Sequence, residues 1–474
     1  MWQKLQLSSP KTAFYIFLFS IPFGTRILLR QFTTGFDEYE AIFIYLSDVL
    51  MLGFLAGFFR EFKATPYGLI SAGGGQARLP ALGGNGGITK SLAVFLALAG
   101  FSVLTAFSKP VAIYNFIRLI LLAVTALAVA KMLRLGLVKF ENILAVLAGS
   151  AVVQSLIGIG QFVQQAGLGL GRLGEPLIGP NIGGAAKIIA EGGKVLRAYG
   201  TLPHPNVLAA FLIIGLLAMY HFWLRRPSEW KFFSGFRTLA SDALLGTGIF
   251  VIVLGLTFAF SRAAWVVATA ASLTIISYSL LSRINWIQAV RLSILLFAIV
   301  VILFTGFKDF ILPRAQVSPS EPAVTQRLSY NQLALNIIQN NFLGVGIGNQ
   351  VLYSVKNEVY KRAGMNQVWQ WQPIHNLYLL IASEVGVAGL LAWLVFLCGI
   401  LISNFKFLIS KKVLNSNSQL EISNSLLVIP TIMLLALLLL GLFDHFLWTL
   451  QPGRLILWLT IGLVMGLTKA NERS

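Results

Sequence analysis

Three histidines and three arginines are the side chains of this sequence best suited to chemistry. They are His204, His375, His445, Arg197, Arg262 and Arg327. An imidazole with a pKa of about 6.5 can take a proton from a hydroxyl group at neutral pH. A guanidinium group binds phosphate or carboxylate through two parallel hydrogen bonds. The set therefore predicts a site that binds an anion and removes a proton.

His375 is the strongest candidate for the base, because it follows Pro373 at the start of a long apolar run. A purely structural histidine at the membrane–water boundary is the alternative. His204 lies between two prolines in LPHPNVLAAF, where a turn or a helix cap is the favoured role. We keep His204 and Arg197 as candidate substrate-binding residues, with an ordinary surface arginine as the alternative for Arg197.

Arg262 and Arg327 are the candidate anion ligands. Arg262 stands in FAFSRAAWVV at the expected start of a membrane helix, with no acidic residue nearby in sequence. Such an arginine either extends to the lipid headgroups or meets a counter-ion, so a bound anion is one interpretation. Arg327, in TQRLSYNQLALNII, is expected to project from a surface helix, where many arginines have no special role.

Glu384 lies nine residues beyond His375. On an unbroken helix it would be roughly 13 Å deeper and on about the opposite face, so it is a poor partner for His375. A carboxylate inside a membrane usually faces the bundle interior and accepts hydrogen bonds from another helix. We therefore predict a structural role for Glu384.

These residues must be positioned by membrane helices. The chain has 474 residues, of which 57% are hydrophobic and 11% charged, and its mean hydropathy is +0.79. This composition predicts an all-α, multi-pass membrane protein with one membrane domain over 1–474. Runs of suitable length predict about twelve helices, of which the first is expected to be retained rather than cleaved. The predicted helices are 12–29, 40–59, 91–108, 111–130, 142–163, 205–224, 243–260, 263–281, 288–307, 375–403, 425–443 and 454–468.

Two long connections fall on the same predicted side of the membrane, 164–204 and 308–374. When these are set aside, lysine and arginine are more frequent on the side of the termini, which predicts cytoplasmic termini and an external, periplasmic site. Within the second connection, Leu328, Leu335 and Ile338 have helical spacing. They predict a short amphipathic helix over 323–341 at the outer membrane surface.

Several other classes of chemistry have no support. The net charge is +19, but no basic run or groove-reading motif indicates nucleic acid. The glycine-rich segment 71–87 lacks the spacing of a phosphate-binding loop and is interpreted as a linker. Cys398 is the single cysteine, and neither a Cys/His cluster nor a D-x-D pair indicates a metal. We predict no cofactor and no metal.

The chain resembles bacterial O-antigen ligases and the related O-antigen polymerases and O-linked oligosaccharyltransferases. The resemblance is carried, in order, by RAYGTLPHPNVLAAFL, FSRAAWVV, RLSYNQLALNIIQNNFLGVGIGN, PIHNLYLLIASEVGVAGLLAWL and DHFLWTLQPGRLILWLTIGL. These segments extend over about 195–468. Residues before them resemble the family only as generic membrane helices.

The resemblance implies a twelve-helix enzyme of the bacterial inner membrane. It would transfer a preassembled glycan from undecaprenyl diphosphate to an acceptor hydroxyl group on the external face. The essential arginines and histidine of the family fall on Arg262, Arg327 and His375. The arginines would stabilise the departing diphosphate, and His375 would act on the acceptor, which predicts metal-independent transfer with inversion.

Ligase activity is the first expectation, with a glycan, a lipid or a protein as the acceptor. An O-antigen or polysaccharide polymerase and a protein O-oligosaccharyltransferase remain as alternatives within the same superfamily. A transporter of lipid-linked glycan or polysaccharide would also have about twelve helices and basic residues in its cavity. A non-catalytic scaffold or receptor is a third possibility.

Overall fold

The computed structural model describes residues 10–32, 38–64, 86–190, 193–225, 235–282, 285–316, 321–410 and 418–470. The glycine-rich segment 71–87 lies outside the described residues, except that Gly86 and Gly87 begin a helix.

The described residues are mainly helical. In chain order the helices are α1 Pro10–Ser20, α2 Leu46–Ala64, α3 Gly86–Leu104, α4 Lys109–Arg134, α5 Phe140–Gln164, α6 Pro205–Leu224, α7 Gly235–Phe258, α8 Arg262–Leu281, α9 Trp286–Ala315, α10 Pro322–Asn340, α11 Gln350–Lys356, α12 Val359–Arg362, α13 Leu377–Ser410, α14 Ser418–Leu440, α15 Phe446–Thr449 and α16 Gln451–Ala470.

The prediction of a mainly helical membrane fold is confirmed, but it did not include two short antiparallel hairpins. Strand β1 Arg26–Gln31 pairs with β2 Ala41–Tyr45, and β3 Lys187–Ala190 pairs with β4 Gly193–Leu196. The first hairpin also shows that the predicted helix 12–29 is wrong: α1 ends at Ser20, and the second predicted helix begins at Leu46 instead of residue 40. Pro22 cannot donate a helical hydrogen bond, and the apolar run after it satisfies its backbone by strand pairing instead.

Eight helices in the described part of the chain are long and apolar enough to cross a membrane. They are α3, α4, α5, α6, α8, α9 and the apolar parts of α7 and α13. With only 11 residues, α1 extends about 16 Å, roughly half the thickness of a hydrocarbon core. The chain is a multi-pass membrane protein, whereas the count of about twelve spans stays a prediction.

Helix α6 lies at the centre of the bundle. Almost every residue from Pro205 to Leu224 is buried, as expected of a helix that is apolar on all sides. It packs on α5 and α7, while α4 packs on α16 and α3 packs on α13. His204 caps the start of α6, and Asn206 lies in its first turn.

Helix α13 is interrupted at Gly386, whose φ of 84° and ψ of 167° are accessible essentially only to glycine. The glycine-rich stretch LGVGIGN fills the interruption. The amides of Val345 and Gly346 donate to the carbonyl oxygens of Ser383 and Glu384, both at 2.9 Å. The predicted helix 375–403 therefore begins two residues later and is interrupted at Gly386, beyond Glu384. Between Leu377 and Glu384 the helix is unbroken.

Helix α10 matches the predicted helix 323–341 closely in its bounds. Its buried face consists of Tyr330, Leu333, Ala334 and Ile337, which pack towards α13. Leu328 and Leu335 are 58% and 51% exposed, so the apolar stripe of the prediction is the outward face. Helix α10 therefore has one buried and one exposed apolar face, and its polar residues of the candidate site lie between these two faces.

Candidate functional site

The turn between α7 and α8 presents Arg262 to a carboxylate. Its Nη1 and Nη2 donate to the two oxygens of Glu321 at 2.7 and 2.8 Å, and Nη1 also donates to the carbonyl oxygen of Gln316 at 3.0 Å. The counter-ion that was missing from the local sequence therefore comes from the residue that precedes α10. The neighbouring guanidinium groups, Arg262 first, hold the pKa of Glu321 below its usual range.

Arg314, near the end of α9, joins this pair. Its Nε donates to the carbonyl oxygen of Phe260 at 3.0 Å, and its Nη1 lies 3.3 Å from Glu321. Phe260 has a φ of 45°, a left-handed conformation that turns its carbonyl group towards α9. Sequence reasoning missed Arg314, because only the tertiary packing of α9 against the α7–α8 turn brings it to Glu321.

Arg197 lies between β4 and α6 and is buried. Its Nε donates to the carbonyl oxygen of Ala259 at 2.7 Å, and its Nη2 donates to Oδ1 of Asn206 at 2.8 Å. Burial, reinforced by the charges of Arg314 and Arg327, lowers the pKa of Arg197 to about 9. It is therefore a buried member of the site and not an ordinary surface arginine.

Arg327 on α10 completes a group of four arginines, which we call the arginine wall: Arg197, Arg262, Arg314 and Arg327. The Nε of Arg327 is buried and has no hydrogen-bond partner among the described residues. Its positive charge helps to lower the pKa values of Arg197, Glu321, His204 and His375. A buried donor without a partner is costly, and this one lies among like charges.

His375 lies two residues before α13, packed between two rings. The ring of Tyr330 stacks on it with centroids 4.8 Å apart, and the ring of His445 meets it edge to face, also at 4.8 Å. Its Nδ1 lies 2.9 Å from the carbonyl oxygen of Pro373. Because a carbonyl oxygen only accepts, this contact assigns the hydrogen to Nδ1 and leaves the lone pair on Nε2.

Burial lowers the pKa of His375, with Asp444 opposing the shift and Arg327 adding to it. The ring is therefore neutral at neutral pH, and its Nε2 is a hydrogen-bond acceptor. A neutral imidazole of fixed tautomer is the form that can take a proton from a hydroxyl group.

The backbone before His375 is held by three side chains. Gln350 accepts from the amide of Ile374 at 3.2 Å. Tyr330 and Tyr360 donate to the carbonyl oxygens of Gln370 and Gln372, both at 2.7 Å. The segment that carries His375 is thus fixed to α10, α11 and α12, all of which lie in the predicted external connection 308–374.

Asp444 and His445 form the opposite side of the His375 ring, and we call these three residues the histidine wall. Asp444 accepts from the side chain of Asn206 at 2.7 Å and from the amide of His445 at 2.8 Å. Burial raises the pKa of Asp444, but the nearby histidines outweigh it and hold that pKa below its usual range. Sequence reasoning included His445 among the candidate side chains without giving it a role, and it missed Asp444, although both stand in the DHFLWT motif.

His204 caps helix α6. Its Nδ1 accepts a hydrogen bond from the amide of Asn206 at 3.1 Å, and Pro205 occupies the first helical position, where its missing N–H costs nothing. Burial, followed by the charge of Arg197, lowers the pKa of His204 to about 3. The structure therefore gives His204 a helix-capping role through Nδ1. The residue lies close to the site.

Glu384 accepts three hydrogen bonds. They come from the amides of Gly348 and Gln350 at 2.7 and 3.2 Å, and from the indole of Trp448 at 2.7 Å. These contacts link α13 to α11 and α15. Glu384 thus acts on His375 only indirectly, through Gln350.

The assembled site joins an excess of guanidinium groups to a neutral imidazole. It can bind an anionic group and accept a proton from a hydroxyl group beside it. In the part of the chain that the structure describes, no group of three or more His, Cys, Asp or Glu side chains is arranged to hold a metal ion.

The fold and this site define a multi-pass membrane protein with a polar, arginine-rich centre at one end of its helix bundle. Residues 247–394 match the family model described as O-Antigen ligase, so this part of the chain is similar to that family. The matched segment contains Arg262, Arg314, Arg327 and His375. No curated protein matches the chain significantly. The family match indicates a glycan-transferring enzyme of the ligase or polymerase type.

Proposed function

We propose that the chain transfers a preassembled glycan from undecaprenyl diphosphate to an acceptor hydroxyl group, without a metal ion and with inversion at the anomeric carbon. The observation that carries this proposal is Arg327, whose buried Nε has no hydrogen-bond partner among the described residues and whose charge helps to lower the pKa of His375. An anion bound by Arg327 would lie beside the proposed base. A sugar diphosphate is an anion whose charge grows as its bond to the sugar breaks.

The arginine wall supports the leaving-group half of the reaction. As the bond between the anomeric carbon and the phosphate oxygen breaks, its electron pair goes to the diphosphate. Arg262 and Arg327 stabilise that charge most strongly in the transition state, which is the requirement for catalysis. Arg314 and Arg197 extend the same positive field, so the reaction needs no separate acid to protonate the leaving oxygen.

His375 supports the acceptor half. The acceptor oxygen attacks the anomeric carbon from the side opposite the diphosphate, and its proton passes to Nε2 of His375. The hydrogen bond from Nδ1 to Pro373 keeps Nε2 in the accepting form. Attack opposite the leaving group inverts the anomeric configuration.

We further propose that the site lies on the external side of the inner membrane and that the termini are cytoplasmic. The distribution of lysine and arginine supports this orientation. Arg197, Arg314 and Arg327 lie within the two long connections, and His375 directly follows the second. Arg262 lies at the α7–α8 turn, which the predicted topology assigns to the same side. Ligase activity is preferred over polymerase or protein oligosaccharyltransferase activity, and the acceptor distinguishes the three.

The test uses the purified full-length protein with a synthetic undecaprenyl diphosphate glycan, glycan, lipid and peptide acceptors, and EDTA. We expect transfer in the presence of EDTA, an inverted product, and a loss on the order of 10²–10⁴-fold in His375→Ala. Loss of transfer on chelation, or retention of configuration, would contradict the mechanism. A His375→Ala protein that still turns over the donor but no longer moves it across a vesicle membrane would indicate the transporter instead.

A further inference from the structure

A pocket of about 410 Å³ lies at the end of the bundle opposite the candidate site. It is lined by the last turns of α6 and α8, the start of α9 and one side of α14. Both α6 and α8 begin at the candidate site, with His204 and Arg262. His221, which lines the pocket, is about 24 Å further along α6 than Pro205. Because a hydrocarbon core is about 30 Å thick, the pocket lies near the opposite boundary of the membrane.

His221 has a nitrogen without a hydrogen-bond partner at this pocket. The residue is 2% exposed, and its Nε2 has no partner among the described residues. The ring lies edge to face against Phe140, with the centroids 5.4 Å apart. A buried polar atom without a partner costs free energy. A ligand oxygen in the pocket would pair with Nε2, as an acceptor or as a hydroxyl donor according to the tautomer of the ring.

Arg225 directly follows α6 and adds a positive charge to the lining of the pocket. Its Nη1 donates to Glu141 at 3.1 Å, and the side chain of Glu141 is 42% exposed. An ion pair with this much exposure contributes little to stability, so Glu141 competes only weakly with an anion in the pocket. A guanidinium group binds a phosphate group through two parallel hydrogen bonds.

The start of α9 contributes a helix N-terminus. Asn285 lines the pocket and precedes the first helical residue, but its side chain makes no capping hydrogen bond. The first amide groups of α9 are therefore not capped by that side chain, and they favour a negative charge nearby. Trp223 holds this helix start against α6, because its indole donates to the carbonyl oxygen of Gln288 at 3.1 Å. A guanidinium group, a helix N-terminus and an imidazole nitrogen without a partner together suit a phosphate group.

The remaining wall of the pocket is apolar and consists of Leu224, Ile275, Val428 and Ile429. Trp286, the first residue of α9, is 53% exposed. Exposed tryptophan is typical of membrane helices at the level of the lipid headgroups. A ligand with a phosphate group at one end and an apolar chain at the other fits both parts of the lining, whereas a soluble phosphate fits only the polar part.

We propose that the pocket binds the phosphodiester headgroup of an anionic phospholipid, in the leaflet opposite the candidate site. The phosphate accepts hydrogen bonds from Arg225 and faces the first amides of α9, and a headgroup oxygen pairs with Nε2 of His221. The lipid chains follow the aliphatic wall. Basic pockets between the ends of membrane helices are suited to such headgroups. The inference goes beyond the proposed transfer reaction and does not depend on it.

The test measures lipid binding by the full-length protein in a neutral detergent. Short-chain phosphatidylglycerol is the anionic probe, and phosphatidylcholine with the same chains is the zwitterionic control. Glycerol phosphate and inorganic phosphate are the soluble controls. Binding is measured as the rise in melting temperature with probe concentration, because a ligand that binds only the folded state stabilises it.

Three variants are compared with the wild type. Arg225→Gln removes the cation, and His221→Phe removes the imidazole nitrogens but keeps an aromatic ring at the same place. Lys139→Gln is the matched control for Arg225→Gln, because Lys139 is an exposed cation that precedes α5, close to Glu141, and does not line the pocket. His221→Phe also tests the site if loss of the Glu141 ion pair unfolds Arg225→Gln.

We expect phosphatidylglycerol to raise the melting temperature of the wild type more than phosphatidylcholine does, and both soluble phosphates to have little effect. Arg225→Gln should weaken the apparent affinity for phosphatidylglycerol by on the order of tenfold, and His221→Phe by about threefold. Lys139→Gln should behave as the wild type.

The inference fails if phosphatidylcholine gives the same shift, because the pocket then does not recognise an anion. An equal shift with glycerol phosphate would indicate a site for a soluble phosphate instead of a lipid. Unchanged affinity in every folded variant of the pocket, or an equal loss in Lys139→Gln, would mean that the lipid binds through the general positive charge of the chain, and this would also overturn the inference.

Discussion

The two walls of the site are held in place by different physical means. In the arginine wall, two of the four cations, Arg262 and Arg314, pair with Glu321, and Arg327 has a buried nitrogen without a hydrogen-bond partner among the described residues. In the histidine wall, ring contacts and a hydrogen bond to Pro373 hold His375, and Asp444 accepts hydrogen bonds from Asn206 and His445. The arginine wall therefore has an excess of positive charge, whereas the groups of the histidine wall have a fixed orientation and mostly have hydrogen-bond partners.

This difference indicates that the arginine wall binds a ligand of opposite charge, whereas the histidine wall positions the base. Like charges brought together in a partly buried site cost free energy, and a ligand of opposite charge recovers it. A base needs the right tautomer and a fixed direction more than it needs charge. Substitutions in the arginine wall should therefore reduce activity without reducing stability, whereas substitutions around the histidine wall should reduce both.

Within the arginine wall, Arg327→Met should have the largest effect on activity. Loss of one guanidinium group from the developing negative charge should lower kcat on the order of 10²–10³-fold. The melting temperature should stay the same or rise, because a cation leaves a cluster of cations. Transfer assays and thermal unfolding in detergent measure the two quantities on the same preparation.

Arg362→Met is the matched control for Arg327→Met. Arg362 is exposed on α12 in the same connection, and we expect neither quantity to change. A melting temperature that falls in Arg327→Met as far as its activity does would mean that Arg327 holds the fold, and the contrast between the walls would be lost.

The pH dependence of transfer tests the histidine wall. His375 must be neutral to accept a proton, and burial keeps its pKa below the ordinary value of about 6.5. The value of kcat/KM should therefore stay constant as the pH is lowered from neutral to below 6.5. At still lower pH it should fall about tenfold per pH unit. Asp444 opposes the lowered pKa, so Asp444→Asn should move this limb to lower pH. A limb that stays in place or moves to higher pH would exclude His375 as the titrating group.

Glu384→Gln should lower stability and activity together. The change removes the charge that accepts from Gly348, Gln350 and Trp448, which should cost about 2 kcal/mol. Because Gln350 also holds the amide of Ile374, loosening it should reduce kcat through the position of His375. Glu358→Gln, at an exposed position, is the control. Normal melting of Glu384→Gln would show that the carboxylate is not a structural link.

The sequence predicts the main reaction groups because they stand in strong local motifs. SRAAW, RLSYN and PIHN each identify one residue, and the helix boundaries around them follow from the lengths of the apolar runs. The structure brings Arg262, Arg327 and His375 to the same end of the bundle, although their roles remain proposals. Tertiary partners carry no such local signal: Glu321 is 59 residues from Arg262 in sequence, and Asp444 is 238 residues from Asn206.

The errors in the predicted fold have a common cause. Apolar runs were assigned to spanning helices, but RILLRQ pairs as a strand and the run after His375 breaks at Gly386. Both backbones form hydrogen bonds with another segment of the chain, the first with its hairpin partner β2 and the second with LGVGIGN. Hydropathy describes the side chains, and it does not show which segment forms hydrogen bonds with the backbone of an apolar run.

Glu321→Gln should have the smallest effect, and it tests whether the arginine wall holds charge for the donor. Glu321 binds Arg262 through both oxygens and contacts Arg314, so a diphosphate that binds Arg262 must compete with it. The amide has no charge and interacts more weakly with both arginines, which should lower the KM for donor by about threefold to tenfold and leave the KM for acceptor unchanged. Donor titrations at fixed acceptor measure this, with Glu358→Gln again as the control. A raised donor KM would mean that Glu321 orients Arg262 for the donor, and the arginine wall would then be positioned as firmly as the histidine wall.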